Sequence, residues 1–276
     1  RITLFNNYHN NMKYFWIAFV LFCSAVLVSE KAIIFPFIVL LYELSLQTTQ
    51  ANKTKLFLLF GITLLLGLSV GFYAIERLSG LARGHYLQSG FDNPLVTVPV
   101  AIGSYFWTIV WPQSLTLYQT EIIPNLTVFW LKVVSLLLYA AALIFSWKRN
   151  RFVFFCLAFF PIAILPMLLP IRIAWIMAER YAYLGLVGLF GAVGFYFAKL
   201  YGKKEMRPFA IAVGVIILAL LSVRTMVRNT EWKNEDVLWV ATVKASPNSP
   251  NAHNNMGVVY SRYGRDDLAA EEFAEA

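Results

Sequence analysis

Seven nearly uninterrupted apolar runs dominate this sequence: about Tyr14 to Val28, Ala32 to Leu46, Leu56 to Tyr73, Thr127 to Trp147, Phe152 to Leu169, Ala174 to Leu200 and Phe209 to Val223. A hydrocarbon core about 30 Å thick takes about 20 helical residues to cross, so each run is a candidate membrane span. Charged residues make up only 14% of the chain and hydrophobic ones 59%. A soluble domain carries about 25% charged residues, and a water-soluble fold is therefore excluded. Lipid offers the backbone no hydrogen-bond partners, which leaves helices or a closed barrel. The runs are continuous rather than alternating, so the barrel is excluded as well. The fold class is all-α, with a polytopic helical membrane domain of about seven spans.

An eighth stretch, Val96 to Trp111, contains Pro99, Gly103 and Ser104. It is expected to lie in the interface or re-enter rather than cross. With that assumption one set of loops holds Arg1, Lys13, Lys53, Lys55, Lys148, Arg149, Arg151, Lys199, Lys203, Lys204 and Arg207, eleven basic residues. The other set holds five: Lys31, Arg77, Arg83, Arg172 and Arg180. If the stretch crosses, the split becomes ten to six. Basic loops stay cytoplasmic, so Lys148 to Arg151 and Lys199 to Arg207 face inward. The less basic loops, at Ser29 to Lys31, Ala74 to Leu95, Pro112 to Leu126 and Pro170 to Ile173, face outward. The net charge of +8 fits this loop bias and does not require nucleic acid as a partner. Cys23 and Cys156 both lie inside apolar runs, which leaves no disulfide framework and no CxxC metal site.

After Val223 the composition turns charged and Asn-rich, dividing the chain into a membrane domain over 1–223 and a linker with an extramembrane repeat over 224–276. In the second part His253, Met256, Gly257, Tyr260, Gly264, Ala269, Phe273 and Ala276 fall in the register of the 34-residue tetratricopeptide pattern. Small residues there let two helices approach and large ones fill the gap between them. His253 stands where an aromatic is usual. A plain helical hairpin is the alternative. Arrays of this kind need about three repeats to bury their faces, so this is the start of an α-solenoid.

No phosphate-binding loop, nucleophile elbow or HExxH pair is present, and His9, His85 and His253 are scattered. What remains is charge at the ends of spans, where an ionisable group needs a partner or a task. Ser29-Glu30-Lys31 separates two runs with three polar residues. It is either a site for a charged lipid headgroup or a tight turn with a snorkelling Lys31. Ala178-Glu179-Arg180-Tyr181 opens another span with Arg172 just upstream. An arginine here can fork two hydrogen bonds to phosphate, with Glu179 holding it or meeting a hydroxylated substrate. Structural pairing within the membrane is the competing explanation. Asp92-Asn93-Pro94 reads as a turn, and Lys132, Tyr42 and Glu43 as anchors at helix ends.

These features recur in a fixed order: Leu27 to Ile33 with Pro36 and Leu40-Leu41-Tyr42-Glu43, then Asp92-Asn93-Pro94, Trp111-Pro112 with Leu115, Ala178 to Leu184, and Arg228-Asn229 with Trp232 before the repeat. Together they resemble the transmembrane and tetratricopeptide repeat-containing O-mannosyltransferases and their bacterial relatives, of the GT-C glycosyltransferase superfamily. The resemblance covers almost the whole chain. It implies transfer of a sugar from a polyprenyl-phosphate carrier to a hydroxyl on the outer or lumenal face, with no nucleotide sugar. It also implies Lys31 and Arg180 facing the lipid phosphate, Glu30 and Glu179 orienting them or the sugar, and Arg172 assisting.

The family's catalytic acidic loop would precede Arg1, so the resemblance implies a chain truncated at both ends, its base upstream and its activity absent when alone. Expected partners are the bilayer, the polyprenyl-phosphate sugar and a protein bound through the repeat. No cofactor is implied, the question of a divalent metal stays open, and nucleic acid is not expected. The expected location is a bacterial inner membrane with the repeat in the periplasm, or the endoplasmic reticulum with it in the lumen. The alternative function is a noncatalytic scaffold for envelope complexes. A secondary transporter would show two related halves, and none are apparent.

Overall fold

The computed structural model describes residues 12–46, 60–62, 64–65, 67–69, 94–110, 112, 115, 117, 126–168 and 177–276. Its helices are α1 (Met12–Val28), α2 (Phe35–Leu46), α3 (Phe60–Ser69), α4 (Pro94–Val110), α5 (Leu126–Arg149), α6 (Arg151–Leu168), α7 (Ala182–Tyr201), α8 (Arg207–Glu231), α9 (Glu235–Ala245), α10 (Pro250–Arg262) and α11 (Asp266–Glu275). Short 3-10 turns at Glu30–Ile34 and Glu179–Tyr181 precede α2 and α7. Among the described residues there is no strand.

Among the described residues three helices are long and apolar enough to cross a membrane: Leu126–Arg149, Glu179–Tyr201 and Lys204–Glu231. They correspond to the runs at 127–147, 174–200 and 209–223. The shorter apolar helices Trp16–Val28, Phe60–Ser69 and Arg151–Met167 overlap the runs at 14–28, 56–73 and 152–169, and 32–46 holds a 3-10 turn followed by the 12-residue α2. At 1.5 Å per residue, the 24 residues of α5 extend about 36 Å, enough for a full crossing. Leucines on its outward face remain exposed, Leu137 at 63% and Leu138 at 67%, as lipid contact requires.

Helix α6 is the centre of the bundle, meeting α2, α4, α5 and α7. Pro161 lies within it and has no N–H, so the carbonyl four residues earlier, Leu157, loses its helical donor. The Tyr139 hydroxyl of α5 fills that position, donating to the Leu157 carbonyl at 2.5 Å. A helix-breaking residue thereby becomes a bond between helices. Against α7 the approach is closer still. Gly185 lies against Phe160, and Gly188 against the Cys156 carbonyl, where a Cβ would collide. Between membrane helices there is little hydrophobic drive, so small residues that admit close backbone contact hold the pair together.

The stretch expected to be interfacial or re-entrant forms α4, continuous from Pro94 to Val110 through Pro99. Val100, Ala101 and Tyr105 bury their side chains with Phe160, Ile164, Met177 and Ala182. Its other close contact is with α5, where a Cβ at Gly103 would lie 2.8 Å from the Lys132 carbonyl oxygen. Lys132, expected as an end-of-helix anchor, is 8% exposed on this interface. Helix α8 does not stop at Val223, where the composition changes, but runs on to Glu231. The expected domain boundary therefore falls inside a continuous helix.

Beyond it, Asn234 and Ser249 cap α9 and α10 by accepting from the backbone N–H groups of Val237 and Ala252. Helices α10 and α11 form a hairpin that turns at Gly264, whose φ of +67° suits glycine. Gly257 faces the Phe273 ring, and Ala269 is buried. Met256 joins Trp239 and Val259 in a small core, with Tyr260 packed against it. His253 adds an ionic contact: Nδ1 lies 2.7 Å from Glu272 Oε2 and Nε2 lies 2.6 Å from the Pro247 carbonyl. Ala276 caps the end of α11.

Candidate functional site

The two charged sequences expected at span ends, 150 residues apart in the chain, meet at one end of the bundle. Ser29 opens the first turn, its hydroxyl accepting from the Lys31 N–H at 3.4 Å. The turn is seated by Ile34 and Pro36, both buried, which leaves Lys31 exposed. Its Nζ lies 4.9 Å from the centroid of the Tyr181 ring. The Arg180 guanidinium lies 5.0 Å from the same ring, with Nη2 3.5 Å from the phenol oxygen. One tyrosine thus gathers two cations from different segments, an arrangement that cation–π attraction favours.

The turn that carries Arg180 and Tyr181 is held on two sides. Ala178 is extended and 1% exposed. Its N–H donates to the Tyr105 hydroxyl at 3.4 Å, and the same hydroxyl lies 3.5 Å from its carbonyl. On the other side Glu179 pairs with Arg228 of α8 at 2.5 Å. Arg228 also binds Glu231, three residues on, and its guanidinium lies 5.6 Å from the Trp232 ring. Its Nε is buried without a hydrogen-bond partner among the described residues. Arg224, one turn earlier, donates from Nε to the Pro112 carbonyl at 2.5 Å. Leu117, in the same connection, packs on the Trp239 core.

Lys31, Arg180, Arg224 and Arg228 bring four positive charges here, and among the described side chains Glu179 and Glu231 bring two negative ones. Both carboxylates face Arg228. Lys31 and Arg180 lie on the exposed side, where an anion can be reached by a forked guanidinium and an ammonium together. Glu30 belongs to the turn, but its side chain lies outside the described set, as do Arg172 and Asp92. Among the described residues no group of three His, Cys, Asp or Glu is placed to hold a metal.

Sequence reasoning placed Lys31, Glu179 and Arg180 at the membrane surface and the structure brings them to one place. Glu179 engages Arg228 rather than Arg180. Two contributors were missed. Tyr105 carries no sequence signal that sets it apart from the other aromatics of α4. Arg228 belongs to the Arg228-Asn229 pair ahead of Trp232, and an arginine ending an apolar helix is a signal that it needs a partner.

No protein-family model and no solved structure matches the chain. Three curated proteins are. A protein O-mannosyl-transferase of Drosophila melanogaster, Tmtc2, is 32% identical over 105 residues, covering 38% of this chain and 11% of that protein. Mouse (Mus musculus) protein O-mannosyl-transferase TMTC4 is 29% identical over 151 residues, 54% of this chain and 20% of that protein. Drosophila Tmtc1, also a protein O-mannosyl-transferase, is 32% identical over 101 residues, 35% of this chain and 12% of that protein. The chain thus matches a fifth or less of the length of these relatives. The similarity supports kinship with that family.

Proposed function

We propose that this chain forms the donor-binding part of a membrane glycosyltransferase of GT-C type, which moves a sugar from a polyprenyl-phosphate carrier to a hydroxyl acceptor, a protein for preference. The observation that carries this reading is the convergence of Lys31 and Arg180 on one ring, that of Tyr181. A lipid phosphate at the end of the bundle needs cations near the membrane surface, with its tail alongside apolar helices. Stabilising the phosphate as it leaves is electrostatic work that preorganised cations do well. Glu179, already committed to Arg228, acts in this reading as a support and not as the base that draws the acceptor's proton. The donor is the polyprenyl-phosphate sugar, without a separate cofactor.

The hairpin α10–α11 is, in the same reading, the first unit of a tetratricopeptide array that presents the acceptor outside the membrane. Its location is a multi-pass one in the bacterial inner membrane with a periplasmic array, or in the endoplasmic reticulum with a lumenal one. The test is sugar transfer by the intact protein reconstituted in lipid, with polyprenyl-phosphate mannose as donor. Lys31→Gln and Arg180→Gln each remove one charged contact worth about 1.5–3 kcal/mol, so kcat/KM should fall roughly ten- to hundredfold. Transfer at the unaltered rate by both variants would sink the reading.

A further inference from the structure

We propose that Arg228 is a positioning residue for the anion site: reaching across from the last turn of α8, it holds the turn that carries Arg180 and Tyr181. The inference rests on the donor-phosphate reading and adds to it a residue that itself touches no substrate.

Glu179 and Arg180 are neighbours in a three-residue 3-10 turn, so a change in the backbone at one redirects the other. Two contacts secure that turn from outside it, Tyr105 at Ala178 and Arg228 at Glu179. Arg228 is in turn held at three points. Its Nη1 meets Glu231, its Nη2 meets Glu179, and its plane lies near the Trp232 ring. It is 8% exposed, which makes it one of the most buried charged residues described, alongside Lys132. A planar guanidinium can address two carboxylates in fixed directions at once, whereas an ammonium on a flexible stem cannot hold both.

The geometry also explains why α8 continues as a helix past the end of its apolar run. Arg224, Arg228 and Glu231 sit on successive turns of one face, and that face grips both the Glu179 turn and the connection at Pro112. The site at the end of the bundle is thus completed by the helix that leads to α9 and the hairpin.

A pair that merely fastens α8 to the bundle and a pair that aims Arg180 differ in one respect. Replacing both partners by neutral amides of similar shape leaves no unpaired charge at Glu179, and Glu231 keeps Arg224 at 4.0 Å, yet it also removes the directional hold. The experiment compares the intact protein in lipid nanodiscs with Glu179→Gln/Arg228→Gln, Arg228→Lys and Arg180→Gln variants. It reads binding of polyprenyl monophosphate, without sugar, together with the unfolding temperature.

Partners that orient a direct ligand are worth about 10- to 100-fold at metal sites, and a loss of roughly tenfold is expected here for the neutral double variant, with its unfolding temperature retained. Arg228→Lys should fall between it and the native protein, and Arg180→Gln should lose at least as much as the double variant. In the transfer assay the same double variant should raise the donor KM more than it lowers kcat. Native binding by the double variant would overturn the role of Arg228 and leave the donor reading standing. Loss of binding only in step with loss of folding would overturn it too, as a structural pair. Failure of the native protein to bind polyprenyl phosphate would remove the donor reading itself, and this inference with it.

Discussion

Helices approach closely in two regions of this chain, and what meets at the contact differs. Between α6 and α7, Gly188 faces the Cys156 backbone carbonyl and Gly185 lies near the Phe160 carbonyl, at 3.2 Å for an added Cβ. Between α10 and α11, Gly257 faces the edge of the Phe273 ring, 2.6 Å from an added Cβ. A backbone carbonyl in the middle of a helix cannot give way without moving the helix, whereas a ring that is 44% exposed can turn aside. The bundle therefore depends on glycine for its geometry, and the hairpin uses it for a fit that another arrangement can replace. Water explains part of the contrast. The hairpin's small core of Trp239, Met256 and Val259 gains from the hydrophobic effect, which the bundle, read as lying in lipid, lacks between its helices.

The largest expected effect tests this directly. Gly188→Ala should cost about 3 kcal/mol, the upper end for overpacking, and lower the unfolding temperature in detergent or nanodiscs. Gly257→Ala should change stability by less than about 1 kcal/mol, because the gain of roughly 1 kcal/mol in helix propensity offsets the displaced ring. Equal losses at both glycines would break the comparison.

The second contrast is ionic. His253 is held between the Pro247 carbonyl and Glu272, two acceptors that a neutral imidazole cannot both satisfy. The Pro247 carbonyl contact raises its pKa above the usual value of about 6.5; burial, the next-largest effect, opposes it, and Glu272 and the nearby Glu275 raise it further. A raised folded-state pKa means that the stabilisation is complete below about 6.5 and is lost as pH rises through the raised value. The hairpin should therefore unfold at a higher temperature at pH 6 than at pH 8. His253→Gln should flatten that dependence, and an unchanged slope in the variant would assign the effect elsewhere.

The smallest effect belongs to the exposed pair Arg262–Glu235, 3.3 Å apart with side chains 50% and 57% exposed. Solvent screens such a pair, and Arg262→Ala should cost less than about 0.5 kcal/mol in thermal unfolding. Arg228–Glu179 has side chains only 10% and 21% exposed. A loss at Arg262 as large as the loss from Arg228→Met would show that burial does not separate the two pairs.

Much of this was legible along the chain. The helices at 126–149, 182–201 and 207–231 follow from apolar runs, and the hairpin from a run of small and large residues that includes Gly257, Gly264 and Ala269. Lys31 and Arg180 stood out because charge beside hydrocarbon is costly. Three matters were less visible. The composition change at Val223 suggested a boundary, but helix formation continues wherever partners compensate polar residues, and Arg224 and Arg228 have theirs at Pro112 and Glu179. Tyr105 and Tyr139 gave no local sign of their hydroxyl partners, Ala178 and Leu157, because those partners belong to other segments of the chain. Lys132 looked terminal by position but is buried, since its burial depends on a glycine of α4.

The sequence by itself determined that the chain is helical, built for a bilayer, divided into an apolar part and a polar part, and marked by charge at the ends of its apolar runs. Those properties depend on composition and on spacing along a single segment, which local chemistry dictates. Only the tertiary structure decided which charges share a site. The approach of Lys31 to Tyr181 and the choice of Arg228 as the partner of Glu179 depend on how α2, α7 and α8 lie together. Contacts between segments so far apart in the chain arise from packing, and no periodicity within one helix encodes them.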